Sequence, residues 1–107
     1  MTIALVVRFD LTDEESAWQF DQLTAEAVAQ ITAKEPGTLM YVTHILRDEP
    51  LSRVFYEVYA DEAAFQQHEQ APHIEDFHAR KDPLLVGQPR VELLTPGFQK
   101  GLGSSPR

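Results

Sequence analysis

Residues 38–60 read TLMYVTHILRDEPLSRVFYEVYA. Two runs rich in Val, Ile, Thr, Phe and Tyr, 38–46 and 53–60, flank RDEPLS, whose Asp, Pro and Ser carry turn chemistry, so the stretch reads as an antiparallel hairpin. Val54, Tyr56 and Val58 make one face of the second run, and Phe55, Glu57 and Tyr59 the other. In the first run Met40, Val42, His44 and Leu46 oppose Leu39, Tyr41, Thr43 and Ile45. A sheet with one wet face alternates apolar with polar. Both faces here are largely apolar, so one is expected to pack on the chain's own helices and the other on a second subunit, making a homodimer.

Upstream, TIALVVRF at 2–9 is a short β-branched run suited to a buried strand. Thr12 and Glu15 have capping-box spacing and start a helix near Asp13. Phe20, Leu23, Ala27, Val28 and Ile31 carry that helix to about Lys34, and Pro36-Gly37 ends it. Downstream, Asp61 caps a helical segment over 61–82 that Pro72 breaks, and QPRVELLT at 88–95 is a last strand. The order βαββαβ is that of an α+β ferredoxin-like plait, an antiparallel sheet with helices on one face. Residues 1–95 form the domain. Residues 96–107, with three Gly and two Pro, form a loop-like C-terminal arm whose Phe98 is expected to dock on a partner or on the chain's own surface.

The 107 residues suit one core, and 43% hydrophobic content supplies its apolar area. A net charge of −8 repels phosphate backbones and anionic leaflets, which argues against nucleic acid and membrane as partners. The absence of cysteine removes disulfides, thiolate metal sites and cysteine nucleophiles. No apolar run approaches the roughly 20 residues of a membrane span, and MTIALVVRFD lacks the flanks of a signal peptide, so a cytoplasmic location is expected. No serine sits in a nucleophile elbow, and no Gly-rich loop could cradle phosphates.

The chemistry-bearing residues are few. Histidines stand at 44, 68, 73 and 78; His68, His73 and His78 are spaced by five, where a helix pairs metal ligands at three or four, so no metal site is expected. Glu57, in the middle of VFYEVY, is due for burial and needs a partner. It either pairs with an arginine (Arg8, Arg53 or Arg90) or serves as a pocket carboxylate that orients a histidine or a substrate hydroxyl. Trp18 lies off the apolar stripe of its helix, exposed or at an interface.

Glu35-Pro36-Gly37-Thr38-Leu39 with Tyr41 and His44, then Arg53-Val54-Phe55-Tyr56-Glu57, Ala63-Ala64-Phe65, His68, Pro72-His73, Phe77 and Arg90-Val91-Glu92, resemble the antibiotic biosynthesis monooxygenase family in order and spacing. The resemblance implies a dimeric α+β barrel, two plaits packed sheet to sheet, with a pocket between each sheet and its helices. The family includes cofactor-free monooxygenases of aromatic polyketides or quinols, haem-degrading enzymes, and an isomerase or processing enzyme for a phosphorylated sugar. The haem-degrading and polyketide branches rely on Asn and Trp. This chain has no Asn, and its one Trp is Trp18, so the quinol type fits better.

The expectation is therefore a cofactor-independent monooxygenase of a quinol or polyhydroxylated aromatic, with dioxygen as co-substrate and no metal or flavin. Dioxygen reacts slowly with closed-shell organics, but a deprotonated hydroquinone can donate an electron to it. The protein then needs a base, anion-holding hydrogen bonds and a dry pocket. His68 or His73 is the candidate base and Glu57 the orienting carboxylate, with Tyr41, His44 and Phe65 as substrate contacts. Strand parity sets Tyr41 and His44 on opposite faces unless a bulge intervenes. The alternatives are an isomerase or processing enzyme for a small phosphorylated metabolite, which would draw on Arg8, Arg53, Arg80, Lys81 or Arg90, and a non-catalytic dimeric binding protein.

Overall fold

The structure, a computed structural model, describes residues 1–102. Residues 103–107 of the arm lie outside the described residues. The elements are β1 (Ile3–Asp10), α1 (Glu14–Lys34), β2 (Thr38–Leu46), β3 (Glu49–Tyr59), α2 (Glu62–Gln70), α3 (Pro72–Lys81), a short 3-10 turn (Asp82–Leu84) and β4 (Arg90–Leu94). The four strands make one antiparallel sheet in the order β2-β3-β1-β4, with the helices on one face, as the βαββαβ order requires. No helix among the described residues is long and apolar enough to cross a membrane.

Register sorts the side chains into two faces. Tyr41, Glu57, Leu5 and Leu93 lie in one cross-strand row, and Thr43, Phe55, Val7 and Val91 in the next, all toward the helices. On this side Phe9, Phe20, Phe55 and Phe77 interlock with ring centroids 4.8 to 6.4 Å apart, a buried aromatic cluster joining β1, β3, α1 and α3. Arg53 is also buried on this side. Its guanidinium donates in bidentate fashion to Asp21 of α1, at 2.8 and 3.0 Å, and to the Pro50 and Ser52 carbonyls. The opposite face carries Val42, Tyr56 and Val6 in one row, and His44, Val54 and Arg8 in the next.

Local chemistry corrects several sequence boundaries. The cap of α1 is Asp13, whose carboxylate accepts from the Ser16 amide at 2.8 Å, while Thr12 bonds the Ser16 hydroxyl; the Thr12–Glu15 box does not form. Strand β3 begins at Glu49, not at 53, leaving only Arg47 and Asp48 as the turn. Pro50 is tolerated there because the β1 partners of β3 stop at Ser52, so its missing N–H breaks no rung on that side. Pro72 starts α3 rather than merely breaking a helix, with Ala71 closing α2 and opening α3.

A bulge between Thr38 and Met40 matters more for the site. Thr38 pairs with Tyr59 and Met40 with Val58, so Leu39 is the extra residue, and Thr38 shares the helix face with Tyr41. Strict alternation would have sent Thr38 to the other face. The arm up to Leu102 passes over one end of the outer face, near Val58 and Leu39, but Phe98 itself is fully exposed among the described residues. Among the described residues it is not docked on the chain's own surface, contrary to that half of the expectation.

Candidate active site

Between the sheet and helices α2 and α3 lies a cavity of about 180 Å³. Its walls are mostly apolar and aromatic, including Leu5, Val7, Phe9, Phe65 and Phe77, and Tyr41, Glu57 and His68 enter it together. An apolar cavity of about 150 Å³ is enough to hold benzene, so a single substituted ring fits.

Glu57 lines the cavity and pairs with none of the three candidate arginines. Each candidate arginine is engaged elsewhere: Arg8 with Asp10 and Glu49, Arg53 with Asp21, and Arg90 with Glu92. Glu57 is buried. Its Oε1 accepts from the Tyr59 hydroxyl at 2.5 Å and lies 3.9 Å from His68 Nε2. Burial dominates its ionisation and pushes the carboxyl up to about 7, with the Tyr59 hydrogen bond opposing. Tyr59 and Tyr41 are held neutral, since burial and then the Glu57 charge push both phenols far upward.

Behind His68 stands Glu35, the residue that closes α1. Its Oε1 is 2.8 Å from His68 Nδ1, its Oε2 is 2.5 Å from His73 Nε2, and the Thr38 hydroxyl donates to Oε1 at 2.6 Å. Burial works against its charge, but these three hydrogen bonds outweigh it and hold Glu35 below the usual glutamate range. An ionised Glu35 fixes the His68 tautomer. With Nδ1–H donating to the carboxylate, Nε2 is left as the free acceptor on the Glu57 side. The contacts thus run Tyr59, Glu57, His68, Glu35, His73, from the buried cavity toward solvent.

The histidines therefore separate. His68 is buried and lines the cavity; His73 lines shallow outer grooves beside Pro72 and reaches the site only through Glu35. His44 lies on the opposite face of the sheet, exposed, with Nδ1 3.0 Å from the Val54 carbonyl. The bulge precedes Tyr41 and so leaves His44 outside the cavity that Tyr41 and Phe65 line. His78 reaches the cavity rim, where burial and then the Lys81 charge lower its pKa. Trp18 is exposed, beside a shallow groove with Glu26 and Arg80. No three His, Asp or Glu side chains among the described residues converge as metal ligands.

Sequence reasoning gave Glu35 no place beside His68, and it left Lys81 as one of five basic residues without saying which of them lines a cavity. Glu35 could have been found as the one acid in the EPGT turn between helix and strand. Its role depends on a bulge that returns Thr38 to the helix face.

A buried carboxylate and imidazole, set in an aromatic-lined cavity of a ferredoxin-like α+β domain, make the candidate site of this fold. The chain belongs to the antibiotic biosynthesis monooxygenase family, whose model matches residues 2–80. Solved structures share the fold. A Caulobacter crescentus protein assigned as an antibiotic biosynthesis monooxygenase is 24% identical, with 91% of each chain covered and a TM-score of 0.85. Rv0793 from Mycobacterium tuberculosis is 22% identical over 94% of this chain and 100% of its own, at 0.83. A mutant of SnoaB from Streptomyces nogalater, described as a cofactor-independent oxygenase, is 21% identical over 92% and 95%, at 0.78. At these identities the likeness shows the fold alone. No curated protein matches the chain at a significant level.

Proposed function

We propose that this protein is a cofactor-independent monooxygenase of a quinol or polyhydroxylated aromatic, with His68 as its general base. Family membership and the oxygenase among its structural neighbours support a small-molecule monooxygenase. The observation that carries the finer reading is the His68–Glu57 pair on the cavity wall, with His68 anchored from behind by Glu35. A phenolic hydroxyl in the cavity within reach of both groups would give its proton to His68 Nε2. Glu57 would hold the oxygen's position and the developing imidazolium, and the apolar walls would keep water from the anion.

The quinolate then supplies every electron. One electron passes to dioxygen, the semiquinone and superoxide recombine to a C–O bond, and the peroxide O–O bond breaks with loss of water. Hydroquinone and dioxygen, one molecule of each, thus become one hydroxyquinone and one water, with no external reductant. His68 resets by returning its Nε2 proton to the oxygen that leaves as water, which closes the balance, while Glu35 keeps the Nδ1 proton in place. His73 thus changes role, from candidate base to a partner that holds Glu35 from outside the cavity.

We further propose a homodimer through the outer sheet face, where Val6, Val42, Val54 and Tyr56 have no helix above them. The test of function is oxygen uptake by metal-stripped protein with a panel of quinols. Uptake that falls by ~10²–10⁴ in His68→Ala is expected. Uptake restored only by added iron or flavin, or full activity in His68→Ala, would overturn the reading.

A further inference from the structure

Five basic residues stood open in the sequence as partners for a charged substrate, and only one lines the cavity. Arg8 and Arg90 lie on the outer face, Arg53 is tied to Asp21, and Arg80 sits outside with Glu26 and Asp76. Lys81, in the last turn of α3, is 2% exposed and lines the cavity. Its Nζ lies 5.5 Å from the Phe9 ring centroid and 5.8 Å from that of Phe77, both rings of the cavity wall. An ammonium has three donors, and one goes to Asp82 at 2.7 Å. The Asp82 side chain is 64% exposed, so water weakens but does not remove this pairing. The remaining donors have no protein acceptor among the described residues. A buried ammonium with one half-solvated carboxylate partner and two aromatic faces still has donors to offer a bound anion.

Lys81 also sits away from the base. Glu57 pairs with Leu5 on β1, whereas Lys81 is over Phe9, four residues further along the strand, about 13 Å at the usual strand rise. The cavity is therefore polarised, with Glu57 and His68 toward one end and Lys81 toward the other, while His78 feels the charges of both Lys81 and Glu69. We propose that Lys81 is an anion-binding residue of this cavity and that its ligand is a hydroxylated aromatic ring bearing a single acidic group, bound with the hydroxyl at His68 and the acid at Lys81. This rests on the reading of the cavity as the substrate site. One ammonium, with Glu57 and Glu69 in the same cavity, suits a carboxylate or an acidic phenolate and not a phosphate dianion.

The test uses binding alone, with ligands that cannot be turned over as quinols. Calorimetric titration of the full chain compares 4-hydroxybenzoate with its uncharged near-isostere 4-hydroxybenzamide. The acid should bind at least ten-fold more tightly, and Lys81→Met should bring the two within two-fold. Asp82→Ala, a surface change that leaves Lys81 in place, should tighten the acid several-fold and leave the amide unchanged. Equal binding of acid and amide, binding of neither, an acid preference that survives Lys81→Met, or an Asp82→Ala protein that gains nothing would each overturn the proposal. The acid preference in a protein that takes up no oxygen with any quinol would refute the oxygenase reading and leave the anion site standing. Oxygen uptake without the preference would do the reverse.

Discussion

Replacing Glu57 by glutamine should stabilise the fold, and more so as pH rises. The folded protein holds this carboxyl near 7 because burial penalises its charge, whereas the unfolded chain releases the proton in the ordinary glutamate range near 4.5. Between those values the folded state binds more protons than the unfolded, so the Glu57 contribution to stability falls as pH rises through that window and is flat above about 7. At about 1.4 kcal/mol per unit, the full cost is about 3 kcal/mol, of which about 2 kcal/mol accrues between pH 5.5 and 8.5. Glutamine does not titrate, yet its side-chain oxygen still accepts from Tyr59. Urea unfolding of both proteins at one concentration should show the variant gaining about 2 kcal/mol on the wild type between pH 5.5 and 8.5. A difference that stays constant with pH, or grows in the wild type's favour, would refute the buried, raised carboxyl. Activity should move the other way: up to pH about 7 the wild-type rate gains from ionisation of Glu57, so Glu57→Gln should run slower than the wild type at pH 8.

A Cβ added at Gly37 would lie 2.6 Å from the Ala64 Cβ of α2, so Gly37→Ala should cost about 1–3 kcal/mol in thermal or urea unfolding and lower activity by displacing the helix that carries His68. Phe20→Ala, emptying the centre of the aromatic cluster, should cost about 3–5 kcal/mol by the same assay. Light scattering after size exclusion should give twice the chain mass, and Tyr56→Asp, at the middle of the outer face, should give the single mass; a monomeric wild type at micromolar concentration would refute the sheet-to-sheet dimer. Glu35→Gln should lower kcat with little change in KM, because it loosens His68 without touching the substrate.

The plait was legible because its signals are local and periodic: Phe20, Leu23, Ala27 and Ile31 mark the buried side of α1, and Phe55 and Tyr59 the inner face of β3. Glu57 and His68 were legible for a different reason, since a carboxylate within an apolar strand must have a partner and the family blocks set a histidine after it. His44 shows the limit of spacing. It belongs to the same block as Tyr41, yet three residues along a strand reverse the face, and the structure keeps it outside. The contacts of Glu35 and the choice of Lys81 among five basic residues were hidden because each sits at an element end. Glu35 needed the Leu39 bulge to bring Thr38 beside it, and Lys81 needed α3 to pack its last turn over Phe9.

The central claim is that substrate and dioxygen react in this cavity with no other redox partner. Metal-stripped protein should be incubated under oxygen-18 gas with the quinol that it consumes fastest, and the product analysed by mass spectrometry. The expected product is a hydroxyquinone carrying one labelled oxygen, with the other label in water, and His68→Ala should lose it. Unlabelled quinone accompanied by labelled hydrogen peroxide, or product formed equally by His68→Ala, would contradict the claim.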